Sequence, residues 1–224
     1  TGFKAPTIFE FQSEQRFANN LNQLVRTSNP NLQPALSRGY SLGVSRLVNN
    51  NSNINLLYFH NDIENTIDFV FAPFPQVTPF GFINLGRVET RGFELSLETK
   101  ISDSIRLNSS FTRAHSREFP SNNQLRREPR HIFRLNASYE IDEDSQFHVD
   151  YRQFGEQVER YASQFAAVQF NKSYRVMDLT YSTKISTETR CDLRIENLLE
   201  SDYQEVFGYS NGGRKIYLRL SREF

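Results

Sequence analysis

Arg126, Arg127, Arg130 and His131 bring three guanidinium groups and an imidazole into one short segment. Such a density suits an anionic ligand, because guanidinium forks pair with carboxylate or phosphate through charge-assisted hydrogen bonds. The same segment also reads as a solvated loop running into a strand. Phe71, Phe74, Phe80 and Phe82, interleaved with Pro73, Pro75 and Pro79, offer ring faces to a large planar ligand, or else pack among themselves as a girdle. Phe207 and Tyr209, among Gly208, Gly212 and Gly213, are either part of a ligand mouth or a hairpin tip folded over an edge. No nucleophile–base–orienter motif accompanies them, so the chain is expected not to be an enzyme. His60, His115, His131 and His148 are too far apart for metal-ligand spacing, and 142–144 is too short for a calcium loop. No metal and no cofactor are expected.

The elements that position these residues alternate with period two. Phe133, Leu135, Ala137, Tyr139 and Ile141 interleave with Arg134, Asn136, Ser138 and Glu140. Phe147, Val149 and Tyr151 interleave with His148, Asp150 and Arg152, and Met177, Leu179 and Tyr181 with Asp178, Thr180 and Ser182. Cys191, Leu193 and Ile195 do so with Asp192, Arg194 and Glu196, and Ile216, Leu218 and Leu220 with Arg219 and Ser221. Successive strand residues point to opposite faces, so each segment has one apolar and one polar side. About nine strands are predicted, at 37–48, 53–70, 87–100, 104–115, 130–141, 145–154, 173–184, 189–198 and 214–224.

Alternation alone fits either a soluble sandwich or a membrane barrel. The links separate the two. Short polar turns at 49–52, 101–103, 142–144 and 185–188 alternate with long links at 71–86, 116–129, 155–172 and 199–213, and a longer one precedes Ser37. That parity belongs to outer-membrane barrels, with short periplasmic turns and long extracellular loops. Composition agrees. Phe (20) and Tyr (10) are abundant in a chain only 38% hydrophobic, a low share for a compact core. Basic and acidic residues balance at 26 each, so no net charge points to nucleic acid or to anionic lipid. The single Cys191 permits no internal disulfide. No apolar run is long enough for a membrane helix, a fact silent on strands. No leader-like stretch opens the chain, and it is expected to begin inside a longer protein.

Six ordered motifs resemble one family, the TonB-dependent receptors. Gly2-Phe3-Lys4-Ala5-Pro6-Thr7-Ile8-Phe9-Glu10 is similar to its "GF+AP-(S/T)-L-x-E" segment, and Asn29-Pro30-Asn31-Leu32-Gln33-Pro34 to "NPNLKPE", with Ala35 in place of the usual Glu. Asn61-Asp62-Ile63-Glu64-Asn65-Thr66-Ile67 resembles "NDIxNLI", and Arg91-Gly92-Phe93-Glu94-Leu95-Ser96-Leu97 resembles "RGxELxL". Leu125-Arg126-Arg127-Glu128-Pro129-Arg130-His131 is similar to "LxRxPxH", and Ile195-Glu196-Asn197-Leu198 with Asp202-Tyr203 to "NLFDxxY". The segment from Glu205-Val206-Phe207-Gly208-Tyr209 to Arg214 resembles the cobalamin-transporter branch, although siderophore receptors share much of it.

The resemblance implies an all-β, antiparallel transmembrane β-barrel segment: about nine strands of a 22-stranded barrel whose lumen holds a plug domain. Residues 1–224 would be the C-terminal part of the barrel, with the plug domain and N-terminal strands absent. The implied function is active import of a ferric siderophore or cobalamin across the bacterial outer membrane, energised through TonB. The implied partners are outer-membrane lipid, the receptor's own plug and the TonB–ExbB–ExbD complex. Candidate solute-binding residues are Phe80, Phe82, Arg126, Arg127, Phe207 and Tyr209, and Phe224 is the candidate barrel-assembly signal. The alternative is a passive outer-membrane channel or an adhesion barrel, which should lack the ordered motifs.

Overall fold

The structure is a computed structural model that describes residues 1–12, 16–18, 24–70, 81–84, 86–160 and 168–223. Its elements are β1 (Gly2–Lys4), α1 (Ile8–Gln12), β2 (Arg16–Ala18), β3 (Leu24–Arg26), β4 (Ala35–Asn49), β5 (Ser52–Glu64), β6 (Ile67–Val70), β7 (Gly81–Asn84), β8 (Arg87–Lys100) and β9 (Ile105–Phe119). They continue as β10 (His131–Glu140), β11 (Ser145–Phe154), β12 (Gln157–Arg160), β13 (Gln169–Asn171), β14 (Tyr174–Ser186), β15 (Thr189–Glu196) and β16 (Lys215–Arg222). Ten strands form one sheet in the order β1-β4-β5-β8-β9-β10-β11-β14-β15-β16. The pairs β2–β3, β6–β7 and β12–β13 are separate two-stranded antiparallel sheets. The chain divides into two compact units, one of residues 1–40, 59–91 and 116–124, the other of 41–58, 92–115 and 125–224.

In the second unit the register turns the sequence alternation into two continuous faces. Tyr139 lies opposite Phe147, Phe147 opposite Tyr181, Tyr181 opposite Leu193 and Leu193 opposite Leu218, an apolar row crossing five strands. The intervening positions carry Asn136 opposite Asp150 and Asp150 opposite Asp178. Two facing carboxylates repel. Arg152 approaches Asp178 at 2.9 Å and Asp150 at 2.7 Å, the latter an ion pair without hydrogen-bond alignment, and Arg194 reaches Asp178 at 3.2 Å.

Burial is inverted relative to a soluble domain. Among the described residues only Leu32, Ala35, Val88, Val158 and Val176 are buried hydrophobics, while Glu159, Asn171, Asp178, Ser182 and Asn197 are among the buried polar ones. Leu42 is 73% exposed, and Ile216, Leu218 and Leu220 are 64–67% exposed on one face of β16. At about 25 cal/mol per Å² of apolar surface, a face of that kind is stable only against an apolar medium.

Three differences from the sequence expectations stand out. The sheet has a tenth strand, because Gly2, Phe3 and Lys4 pair with Ser37, Leu36 and Ala35. The strand expected over 53–70 breaks at Asn65, whose φ of 56° turns the backbone left-handed. Its N–H donates to the Gly86 carbonyl at 3.1 Å and its carbonyl accepts from Asn84 Nδ2 at 2.8 Å, so β6 leaves the main sheet to pair with β7. Finally, β9 continues to Phe119, into the expected link at 116–129.

Candidate functional site

In the first unit the motif residues form a knot of hydrogen bonds. Thr7 and Glu10 cap α1 reciprocally: the Thr7 N–H donates to Glu10 Oε2 at 2.7 Å, and the Glu10 N–H to Thr7 Oγ1 at 3.2 Å. Lys4 lies 3.5 Å from the same carboxylate. The Thr7 amide, the Thr7 hydroxyl and the Lys4 charge hold the Glu10 carboxyl below its ordinary value, against an opposing effect of burial. Asn29 donates from its backbone to the Glu10 carbonyl at 2.9 Å and from its side chain to the Phe82 carbonyl at 3.1 Å. Asn84 exchanges 2.8 Å bonds with both the N–H and the carbonyl of Gln33. Gly81, at φ 125°, lies so close to the Thr27 backbone that a Cβ there would collide with the Thr27 carbonyl. Phe82 packs edge-on against Phe9 and Phe69, with centroids 5.6 and 5.0 Å away. Its ring is therefore committed to local packing. Phe80 lies outside the described residues, as do Phe71, Phe74, Pro73, Pro75 and Pro79.

In the second unit, three links are joined at the base of the β12–β13 hairpin. Arg127 takes φ 61° and donates its backbone N–H to the Val158 carbonyl at 2.8 Å. Its guanidinium donates twice to Glu159 Oε1, at 3.0 and 2.7 Å, which raises the arginine pKa further. Glu159 is buried and accepts a further bond from Asn171 Nδ2 at 3.2 Å. Gln157 and Asn171 both donate to the Glu205 carbonyl, at 3.0 and 3.4 Å. Arg127 thus acts as a strut between links, its charge answered by Glu159. Arg126, one residue earlier, is exposed.

Beside this strut Phe154, Tyr174 and Tyr203 stack in series, with centroids 4.9 and 4.4 Å apart. Burial raises the Tyr203 phenol pKa, and the nearby Glu205 carboxylate adds to the effect. Tyr174, Tyr203 and Phe207, with Phe170 and Lys172, line a cleft of about 230 Å³. Phe207 and Tyr209 are exposed, and Tyr209 lines a second cleft of about 380 Å³ with Glu205, Val206 and Asn211. The link returns at Asn197, whose φ of 50° is held by its N–H to Asp178 Oδ1 at 3.0 Å and by side-chain bonds to Ser201 at 2.9 and 3.0 Å. Phe224 lies outside the described residues.

This arrangement offers ring faces beside the Lys172 ammonium and the Asp202 carboxylate, suited to a bulky solute with an apolar surface and attached polar groups. Sequence reasoning singled out Phe207 and Tyr209 but did not assign Tyr174, Lys172 or Glu159 to a site. Tyr203 carried a signal in the "Asp202-Tyr203" motif, whereas Glu159 sits in a link without period or motif. Among the described residues no cluster of His, Cys, Asp and Glu is arranged to hold a metal ion.

Comparison with known proteins places these features. The family model described as TonB dependent receptor-like, beta-barrel, matches residues 1–198. An iron-regulated outer membrane virulence protein of Vibrio cholerae serotype O1 (strain ATCC 39541 / Classical Ogawa 395 / O395) is 28% identical over 240 residues, covering 100% of this chain and 36% of the relative. The siderophore receptor PirA of Acinetobacter baumannii superposes with a TM-score of 0.78 at 20% identity, over 99% of this chain and 38% of that one. The ferric enterobactin receptor PfeA of Pseudomonas aeruginosa (its G324V variant) gives 0.76 at 15% identity, over 99% and 37%. The chain therefore spans little more than a third of the length of these relatives.

Proposed function

The chain belongs to the TonB-dependent receptor β-barrel family of the bacterial outer membrane, and from that premise we propose that it forms part of the wall and mouth of a receptor that imports a ferric siderophore. The observation that carries the reading is the aromatic stack Phe154–Tyr174–Tyr203 opening on Lys172 and Phe207. The iron-related names of the relatives support an iron chelate over cobalamin, the other solute the motifs suggest. In this reading the short turns face the periplasm and the long links face outward. A plug domain elsewhere in the receptor fills the lumen against the polar face, and energy arrives through the TonB complex. The chain contributes binding and not catalysis.

Binding needs no chemistry beyond this. Ring faces pack against the organic shell of the chelate and the lysine meets its negative charge, while the Arg127–Glu159 strut keeps the links at a fixed spacing. The test uses a strain lacking the receptor, starved of iron and supplied with the receptor gene on a plasmid. Wild-type gene should restore growth on one ferric siderophore. A Tyr203→Ala, Phe207→Ala double variant of equal abundance should restore it poorly, at least tenfold in siderophore concentration. Equal growth with both genes would remove this cleft from the binding role.

A further inference from the structure

The row of basic side chains that closes the apolar face of β9, β10 and β14 has no part in holding a solute inside a barrel, because it lies on the other side of the sheet. Register fixes this. Phe111 lies opposite Phe133 and Arg113 opposite His131, all of the same parity as Leu107, Leu135, Ala137 and Tyr139. Phe133 is opposite Gln153, and Gln153 is opposite Arg175. Arg113, Arg130, His131 and Gln153 surround a cleft of about 530 Å³ floored by Phe111 and Phe133. Among the described residues no carboxylate lines it. Arg113 and Arg175 are exposed, and among the described residues neither has an ion-pair partner.

Depth gives the row its meaning. His131 is eight residues from Tyr139, which stands next to the short turn after β10. At about 3.3 Å per residue and a tilt of about 40°, that is roughly 20 Å along the membrane normal. An apolar band is about 25 Å tall, so the basic row stands at its outer margin, at the level of lipid headgroups. A bare arginine on a lipid-facing position is costly inside the band and near neutral at its edge, and an anion there makes it favourable. The ring of His131 is further fixed by stacking on Phe111, at 6.4 Å, and by Gly155, where a Cβ would come within 2.7 Å of the imidazole.

We propose that this cleft is a binding site for the phosphorylated headgroup of an outer-leaflet glycolipid of the lipid A type. Arg113 at the cleft and Arg175, in register with its Gln153, pair with the phosphates, while acyl chains lie along Phe111, Phe133 and Leu135. The proposal rests on the outer-membrane setting and is independent of which solute the receptor imports. Phosphate charge above and apolar floor below favour an anionic lipid over a soluble anion, which would gain nothing from the two phenylalanines.

The test uses the purified, delipidated receptor that carries this chain, in a neutral detergent, with native mass spectrometry and a titration with bisphosphorylated hexa-acyl lipid A. Wild type should retain one such lipid. The Arg113→Gln, Arg175→Gln double variant should bind it at least tenfold more weakly, as should wild type with the fully dephosphorylated lipid. Arg134→Gln, which removes one positive charge from the opposite face of β10, should bind as wild type does. Heat-modifiable gel mobility checks that each variant is folded, and Arg113→Lys, Arg175→Lys should recover most of the binding. Equal binding by the glutamine double variant, equal binding of the dephosphorylated lipid, or competition by millimolar inorganic phosphate would each overturn the proposal.

Discussion

Replacing Glu159 with glutamine removes the carboxylate that takes both side-chain hydrogen bonds of Arg127, while leaving an acceptor for Asn171. Because Arg127 is half exposed, the ion pair is discounted to about 1 kcal/mol. The expected outcome is looser attachment of the 125–130 segment, read as roughly fivefold faster trypsin cleavage at Arg126 and Arg127. Unchanged cleavage would mean that the backbone bond to Val158 holds the link alone. Glu10 gives a pH dependence. Its folded pKa lies below the ordinary value of 4.5, so its stabilising effect is present above that value and is lost as pH falls through the lower folded one. Amide exchange at Thr7 and Glu10 should therefore accelerate in acid beyond the intrinsic trend, and the acceleration should vanish in Glu10→Gln. At this scale the sequence was least informative. The motif residues Glu10, Asn29 and Asn197 were visible by type, but their partners lie across the fold. Arg127 and Glu159 are separated by 32 positions, and no local period connects them.

At the scale of elements, the apolar rows set the cost of misplacing a charge. Leu218 sits mid-strand on β16 opposite Leu193 and is 67% exposed. Leu218→Arg should lower unfolding stability in lipid vesicles by about 2–4 kcal/mol. The same charge at Asn136, on the polar face opposite Asp150, should cost under about 1 kcal/mol. Equal losses at the two positions would contradict the assignment of faces. Alternation made most strands legible, because period two is a local property that register only aligns. The break at Asn65 was not legible in that way. Apolar residues continue beyond it at Ile67 and Phe69, and only the left-handed backbone reveals the change of partner. Nor did β1 announce itself, since three residues carry too little pattern.

At the scale of the whole molecule, the alternation of short and long links and the inverted burial describe one wall between two media. Fold class and the family were legible in sequence, from link parity and from motifs that the hydrogen-bond knots now explain. The solute was not, because rings and a lysine specify a chemical class and not a compound. The import reading stands or falls on binding. The measurement is an equilibrium titration of the purified full receptor in detergent with a panel of ferric siderophores and with cyanocobalamin, read by quenching of intrinsic tyrosine fluorescence and confirmed by radiolabelled iron. The account predicts saturable, one-to-one binding of at least one ferric siderophore and none of the corrinoid. Binding of the corrinoid with no ferric siderophore bound, or no binding of any solute by folded receptor, would contradict it.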